Sequence, residues 1–220
     1  MIEKILKKIK YFLSSKKIKR HSLVGQSNLW KLKREFQIKF LKNQGLESSN
    51  LFLDIGCGTL RGGIPIIKFL EPGNYYGIDV REIALNEAKK EVVDEKLERK
   101  KPNLILFEDF KDLNIESKFD KMIAFSVLIH MDDDVLDNCF KFVAKHLKRE
   151  GKFYANVNIG DGLIGNWQGF PVVAKNLEFY EKLASQYELE LRDLGTLRDF
   201  QHHSGSKDQD DQKMLEFSFI

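Results

Sequence analysis

The stretch LDIGCGTLRGG, residues 53–63, decides how this chain is read. Before it, LFLDI (51–55) is an apolar run of strand length; after it, IPIIKFL (64–70) has helical character. Pro65 suits that helix only in its first turn, where no backbone N–H is needed. A glycine-rich turn between strand and helix lets a ligand lie against bare backbone at Gly56 and Gly58, close to the free N–H groups of a helix N-terminus. Asp79 closes the next apolar run, YYGIDV (75–80). A carboxylate at that place can accept from both hydroxyls of a ribose.

Outward from this centre, apolar runs and amphipathic segments alternate. LILFE (104–108), KMIAFSV (121–127) and KFYANVN (152–158) read as strands. Residues 82–98 read as a helix with Leu85, Ala88 and Val92 inward. Residues 132–147 read as a second, with acids in its first turn, Leu136, Cys139, Phe140, Val143 and Leu147 as its stripe, and Gly151 just past its end. Such alternation predicts a parallel sheet with right-handed crossovers. Residues 173–187 read as a helix leading to LELRDLGTL (189–197) and KMLEFSF (213–219). No helix separates those last two strands, so they are expected as an antiparallel pair at one edge. Between them lies a polar loop, 201–213, which holds Gln212 and whose adjacent His202 and His203 are expected to be solvated. Upstream, residues 27–43 place Leu29, Leu32, Phe36 and Phe40 on one helical face, with Ser27 as N-cap and Gly45 as terminator.

Composition narrows the class. Two cysteines, Cys57 and Cys139, make neither a disulfide framework nor a Cys-rich zinc site, so a reducing, cytoplasmic setting is expected. No apolar run approaches a bilayer span, and lysines interrupt any signal-peptide core. The net charge of +3 gives no reason to expect a nucleic-acid partner. Residues 1–20 nevertheless hold seven lysines and Arg20 against the single acid Glu3. Ile2, Ile5, Leu6, Ile9, Phe12 and Leu13 make this arm a basic amphipathic helix, which either packs on the body (21–220) or makes weak contact with an anionic membrane surface.

A nicotinamide-dependent oxidoreductase would also use a glycine turn followed by an acid. Its fingerprint wants glycine at the sixth position, where this chain has Arg61. Asp54, two residues before Gly56, suits a ligand with a cationic end, or else a strand-end acid that bonds loop amides. A non-catalytic scaffold is the other rival, and the intact Gly56, Gly58 and Asp79 weigh against it.

The ordered set LFLDIGCGTLRGG, YYGIDV, LILFEDF, FDKMIAFSVLIHM and LKREGKFYANV resembles the class I S-adenosylmethionine-dependent methyltransferases over about residues 50–220. HSLVGQSNLWKLKREFQIKFL (21–41) resembles the lead-in of a bacterial subgroup that often modifies small molecules or surface glycans. The resemblance implies a Rossmann-like α/β fold. Its seven-stranded, mostly parallel sheet would run in the order three, two, one, four, five, seven, six, with the seventh strand reversed. Helices would lie on both faces, with a helical N-terminal extension. It implies S-adenosylmethionine as cofactor. Asp54, Gly56, Cys57 and Gly58 would line its methionine end, and Asp79 and Val80 its ribose. Asp109 and the Phe110 backbone would meet adenine, and Ser126 and Val127 would lie beside the sulfonium. The fourth strand lacks both the Asn/Asp-Pro-Pro-aromatic signature of base methylation and the terminal acid of metal-dependent types. No metal is therefore expected, and an oxygen of a small molecule or sugar is favoured as acceptor. His130 is either the general base or a packing residue on the next helix. Arg61 pairs with an anion or locks the fold; Trp30, Trp167 and Phe170 are candidates to cover the cleft, and His203 to meet substrate.

Overall fold

The computed structural model describes residues 20–220. The basic arm at 1–20 therefore lies outside the described residues except for Arg20, which belongs to the body. Arg20 is buried and donates to Glu87 and Asp94 at 2.8 Å each, with Glu91 at 3.1 Å.

Helix α1 (Trp30–Asn43) is preceded by a 3-10 turn, Ser27–Leu29. Ser27 makes no capping bond; it is the first residue of the turn, not an N-cap. Gly45, at φ +75°, does terminate α1, and the Leu46 N–H returns to Leu41 O at 2.9 Å. Next come β1 (Phe52–Ile55), α2 (Gly63–Phe69), β2 (Tyr75–Asp79), α3 (Glu82–Asp94), β3 (Asn103–Leu106), β4 (Phe119–Ala124), α4 (Asp133–His146) and β5 (Leu147–Val157). β1 pairs in parallel with β2 on one side and β4 on the other. After a separate hairpin, β6 (Gly162–Trp167) and β7 (Phe170–Ala174), come α5 (Leu177–Ser185), β8 (Leu189–Thr196), the short α6 (Lys207–Asp210) and β9 (Lys213–Phe219).

The main sheet has seven strands in the order β3-β2-β1-β4-β5-β9-β8. β9 alone runs against its neighbours, antiparallel to both β5 and β8. This is the expected order once the extra hairpin is set aside. Two apolar cores cover the two faces. One gathers Phe36, Phe40, Ile64, Ile67, Leu85 and Val92 under α1, α2 and α3; the other gathers Leu136, Phe140, Val143, Tyr180 and Leu183 under α4 and α5. The sheet's order turns back between β1 and β4, so their C-terminal ends open on a crevice at the switch point.

Three further expectations are corrected by the fold. The helix expected at 173–187 begins only at Leu177, capped by Asn176, because Val173 and Ala174 are strand residues of the hairpin. The helix at 82–98 ends at Asp94. Gly151 lies inside β5 and ends no helix; a Cβ there would meet Phe119 O at 2.9 Å, so glycine permits a close backbone approach.

Candidate active site

The glycine turn has no room for a side chain at Gly56 or Gly58. Gly56 has φ +69°, and a Cβ on it would stand 2.5 Å from Val127 Cγ2. Gly58 has φ +56°, and its Cβ would stand 2.5 Å from Val24 Cγ1. The turn is tied to β2 by Asp79, which is buried. Asp79 Oδ2 accepts from the Gly58 N–H and Oδ1 from the Arg81 N–H, both at 2.8 Å. Charge-assisted bonds of this kind hold the carboxylate in one orientation.

Asp54 is buried at the end of β1 and accepts a 2.7 Å bond from Tyr75 Oη. Burial lifts its carboxyl to about 7, against the Tyr75 bond; the Asp79 charge adds to the rise and Arg61 opposes it. The Cys57 thiol is buried against Gly77, so only its backbone faces outward to a ligand. Val80 is exposed. Asp109 closes a turn by accepting from the Lys111 N–H at 2.9 Å and stays half-buried, whereas the Phe110 ring is buried beside Phe107 and Phe142.

At the end of β4, Ser126 sits at φ +58°, a left-handed conformation costly for a residue with a side chain. Its N–H donates to Asn156 Oδ1 at 2.7 Å, and a chain of amides runs on from there. Asn156 Nδ2 donates to Gln212 at 2.6 Å, Gln212 Nε2 to Asn158 at 2.9 Å, and Asn158 Nδ2 to Val173 O at 3.1 Å. This chain links β4, β5, β9 and the hairpin. The sequence draws attention to Gln212 through its polar loop but not to Asn156 and Asn158, since nothing local marks a strand-end Asn as part of a relay of side chains.

The hairpin covers His130. Trp167 stacks on its ring at 5.2 Å, Phe170 lies at 6.4 Å, and Nδ1 is 2.9 Å from Pro171 O. His130 thus packs on the hairpin, not on the following helix. Burial lowers its pKa against the Pro171 bond, and the Arg81 charge lowers it further. Because a carbonyl only accepts, Nδ1 carries the proton and Nε2 keeps its lone pair.

Arg61 and Arg81 hold a strap across the glycine turn. Arg61 Nη1 donates to Val24 O at 2.6 Å and Arg81 Nη1 to Leu23 O at 2.9 Å. Nothing in the sequence pattern marks Arg81 as a site residue; its guanidinium also lies 5.4 Å from the Trp167 ring. Trp30 does not cover the cleft. It is buried, stacked on His21 at 3.6 Å with Arg34 at 5.5 Å. The histidine pair is divided: His203 is exposed, but His202 is fully buried and bonded to Asp210, so the expectation that both are solvated fails. Among the described residues no group of three or more His, Cys, Asp or Glu side chains is placed to hold a metal ion, and no helix is long and apolar enough to cross a membrane.

Residues 53–153, from the glycine turn through β5, match the family model described as a methyltransferase domain. The chain as a whole has the Rossmann-like fold of methyltransferases. Three solved structures share this fold. An S-adenosylmethionine-dependent methyltransferase from Clostridium acetobutylicum has a TM-score of 0.64 and 18% identity, covering 96% of this chain and 98% of that one. The magnesium protoporphyrin IX methyltransferase of Synechocystis with bound cofactor has a TM-score of 0.62 and 17% identity, over 86% and 78%. A glycopeptide N-methyltransferase, MtfA, has a TM-score of 0.64 and 13% identity, over 85% and 90%. No curated protein sequence matches the chain significantly. Its bare glycine turn and the carboxylates of Asp54, Asp79 and Asp109 fit the cofactor's chemistry, a diol and an exocyclic amine with a cationic end.

Proposed function

We propose that this methyltransferase transfers the methyl group to an oxygen of a small molecule or sugar, as a step in surface-glycan or small-molecule modification, with His130 as general base. The fixed tautomer of His130, Nδ1–H toward Pro171 O at 2.9 Å, carries this reading. When bound, the cofactor supplies a methyl group already activated on a sulfonium. Asp79 and Val80 hold its ribose, Asp109 and the Phe110 N–H its adenine, and Asp54 with the backbone of Gly56, Cys57 and Gly58 its methionine end. Ser126 and Val127 stand beside the methyl. Trp167 and Phe170 exclude water, and His130 Nε2 accepts the acceptor's hydroxyl proton as its oxygen takes the methyl.

The test is the pH–rate profile of wild type against His130→Ala. The wild-type rate rises through a pKa below 6.5, because burial favours neutral imidazole. The variant loses roughly 10²- to 10⁴-fold in kcat while keeping cofactor affinity. A folded, cofactor-binding variant with unchanged kcat removes His130 from the reaction.

A further inference from the structure

Lys33, Phe36 and Gln37 stand at i, i+3 and i+4 and so share one face of α1. That face reaches two polar groups from distant parts of the chain. The Phe36 ring meets His202 edge-on at 5.0 Å, and Gln37 packs directly on Gly62, the neighbour of Arg61. Arg61 is only 8% exposed; Nη1 is used by Val24 O, but Nε is buried with no partner. His202 is 1% exposed; Nδ1 is held by Asp210 Oδ1 at 2.8 Å, but Nε2 is buried with no partner. Lys33 makes no hydrogen bond or ion pair within the described residues. Native interiors rarely leave such groups unmet, and a ligand is one of the few physical reasons to keep them so.

The acids nearby are already occupied. Asp210 accepts from His202 and from the Ser204 N–H, and Asp54 from Tyr75. We infer that Lys33, Arg61 and His202 form a subsite for an anionic group, a carboxylate or phosphate, carried by the methyl acceptor. This deepens the reading of the cleft as that of a small-molecule methyltransferase, and rests on it. The electrostatics support it. Burial pulls the Lys33 ammonium down to about 7, with Arg61 adding to the fall and Asp210 opposing it. Burial also lowers His202, against its bond to Asp210, with Lys33 and Arg61 adding to the fall. An anion between Lys33 and Arg61 relieves their repulsion, and His202, whose Nδ1–H is given to Asp210, joins by taking a proton on Nε2 as the anion binds.

The cofactor's own carboxylate is the other source of such a group, and the experiment separates the two. Inorganic phosphate is titrated calorimetrically into the full chain saturated with S-adenosylhomocysteine. Saturable binding is expected, weakened roughly tenfold or more in Lys33→Met and unchanged in Lys89→Met, an exposed control. The melting temperature of Lys33→Met without anion is expected to equal or exceed that of wild type, since a repelled ammonium is removed. A lysine kept for folding would move stability the other way, and that result overturns the inference. So does phosphate binding that disappears when S-adenosylhomocysteine is present, which assigns the subsite to the cofactor, or binding that Lys33→Met leaves intact. Failure to bind S-adenosylhomocysteine at all is a separate result, one that strikes the methyltransferase reading itself.

Discussion

Tyr75 Oη donates to Asp54 Oδ2 at 2.7 Å, joining two neighbouring strands beneath the glycine turn. Burial nonetheless dominates, and the Asp54 carboxyl stands at about 7. The folded state therefore holds a proton that the unfolded chain releases near 4. The stability contributed by that proton is present below about pH 4 and is lost as pH rises through 7.

Asp54→Asn is expected to melt close to wild type at pH 5 and on the order of 5 °C higher at pH 8 without cofactor. Affinity for S-adenosylmethionine should fall at pH 8, because the carboxylate that meets its cationic end is gone. Calorimetric scans at the two pH values check the first point and titration the second. A melting difference independent of pH contradicts the assignment of a raised Asp54.

Asp79→Ala leaves the Gly58 and Arg81 N–H groups without their acceptor and removes the proposed ribose contact. S-adenosylhomocysteine binding should weaken by about 2 kcal/mol, roughly thirtyfold, with a lower melting temperature. Asp79→Asn, which keeps one acceptor oxygen, should fall between. Equal binding by all three proteins in calorimetry rules out the ribose role.

Gly56→Ala meets two obstacles, a left-handed φ of +69° and a Val127 methyl 2.5 Å from the new Cβ. Together they should cost about 3 kcal/mol. In the double variant Gly56→Ala/Val127→Ala the two methyl contacts go, Cβ at 3.3 Å is left, and the backbone strain stays. A double-mutant cycle by urea unfolding should thus show a coupling on the order of 1 kcal/mol. Strict additivity means that the turn does not sit against Val127.

The sheet was legible because its central strands are buried on both faces. LFLDI and KMIAF are continuous apolar runs broken by turns, and the switch from these runs to helical stripes marks each crossover. The β6–β7 hairpin was not legible. Gly162–Trp167 is almost wholly exposed, so no apolar alternation announces it, and Val173 and Ala174 fall into helical phase with the residues of α5. In the site, Gly56, Gly58 and Asp79 could be read because backbone geometry dictates their types locally. The burial of His202 depends on Phe36 and Phe125, which the fold brings to it from far upstream, and the tautomer of His130 depends on Pro171 in the unread hairpin. Trp30 misled for the same reason: its neighbours His21 and Arg34 take up its ring, and a sequence shows only that an aromatic is there.

The most direct test of the central claim is transfer from methyl-labelled S-adenosylmethionine into a fractionated extract of small metabolites and sugars, with the product identified. Label should appear on an oxygen of a small acidic molecule, and His130→Ala should reduce it roughly a hundredfold or more at pH 7. Label on nitrogen, on macromolecules, or at an undiminished rate in the variant would contradict the account.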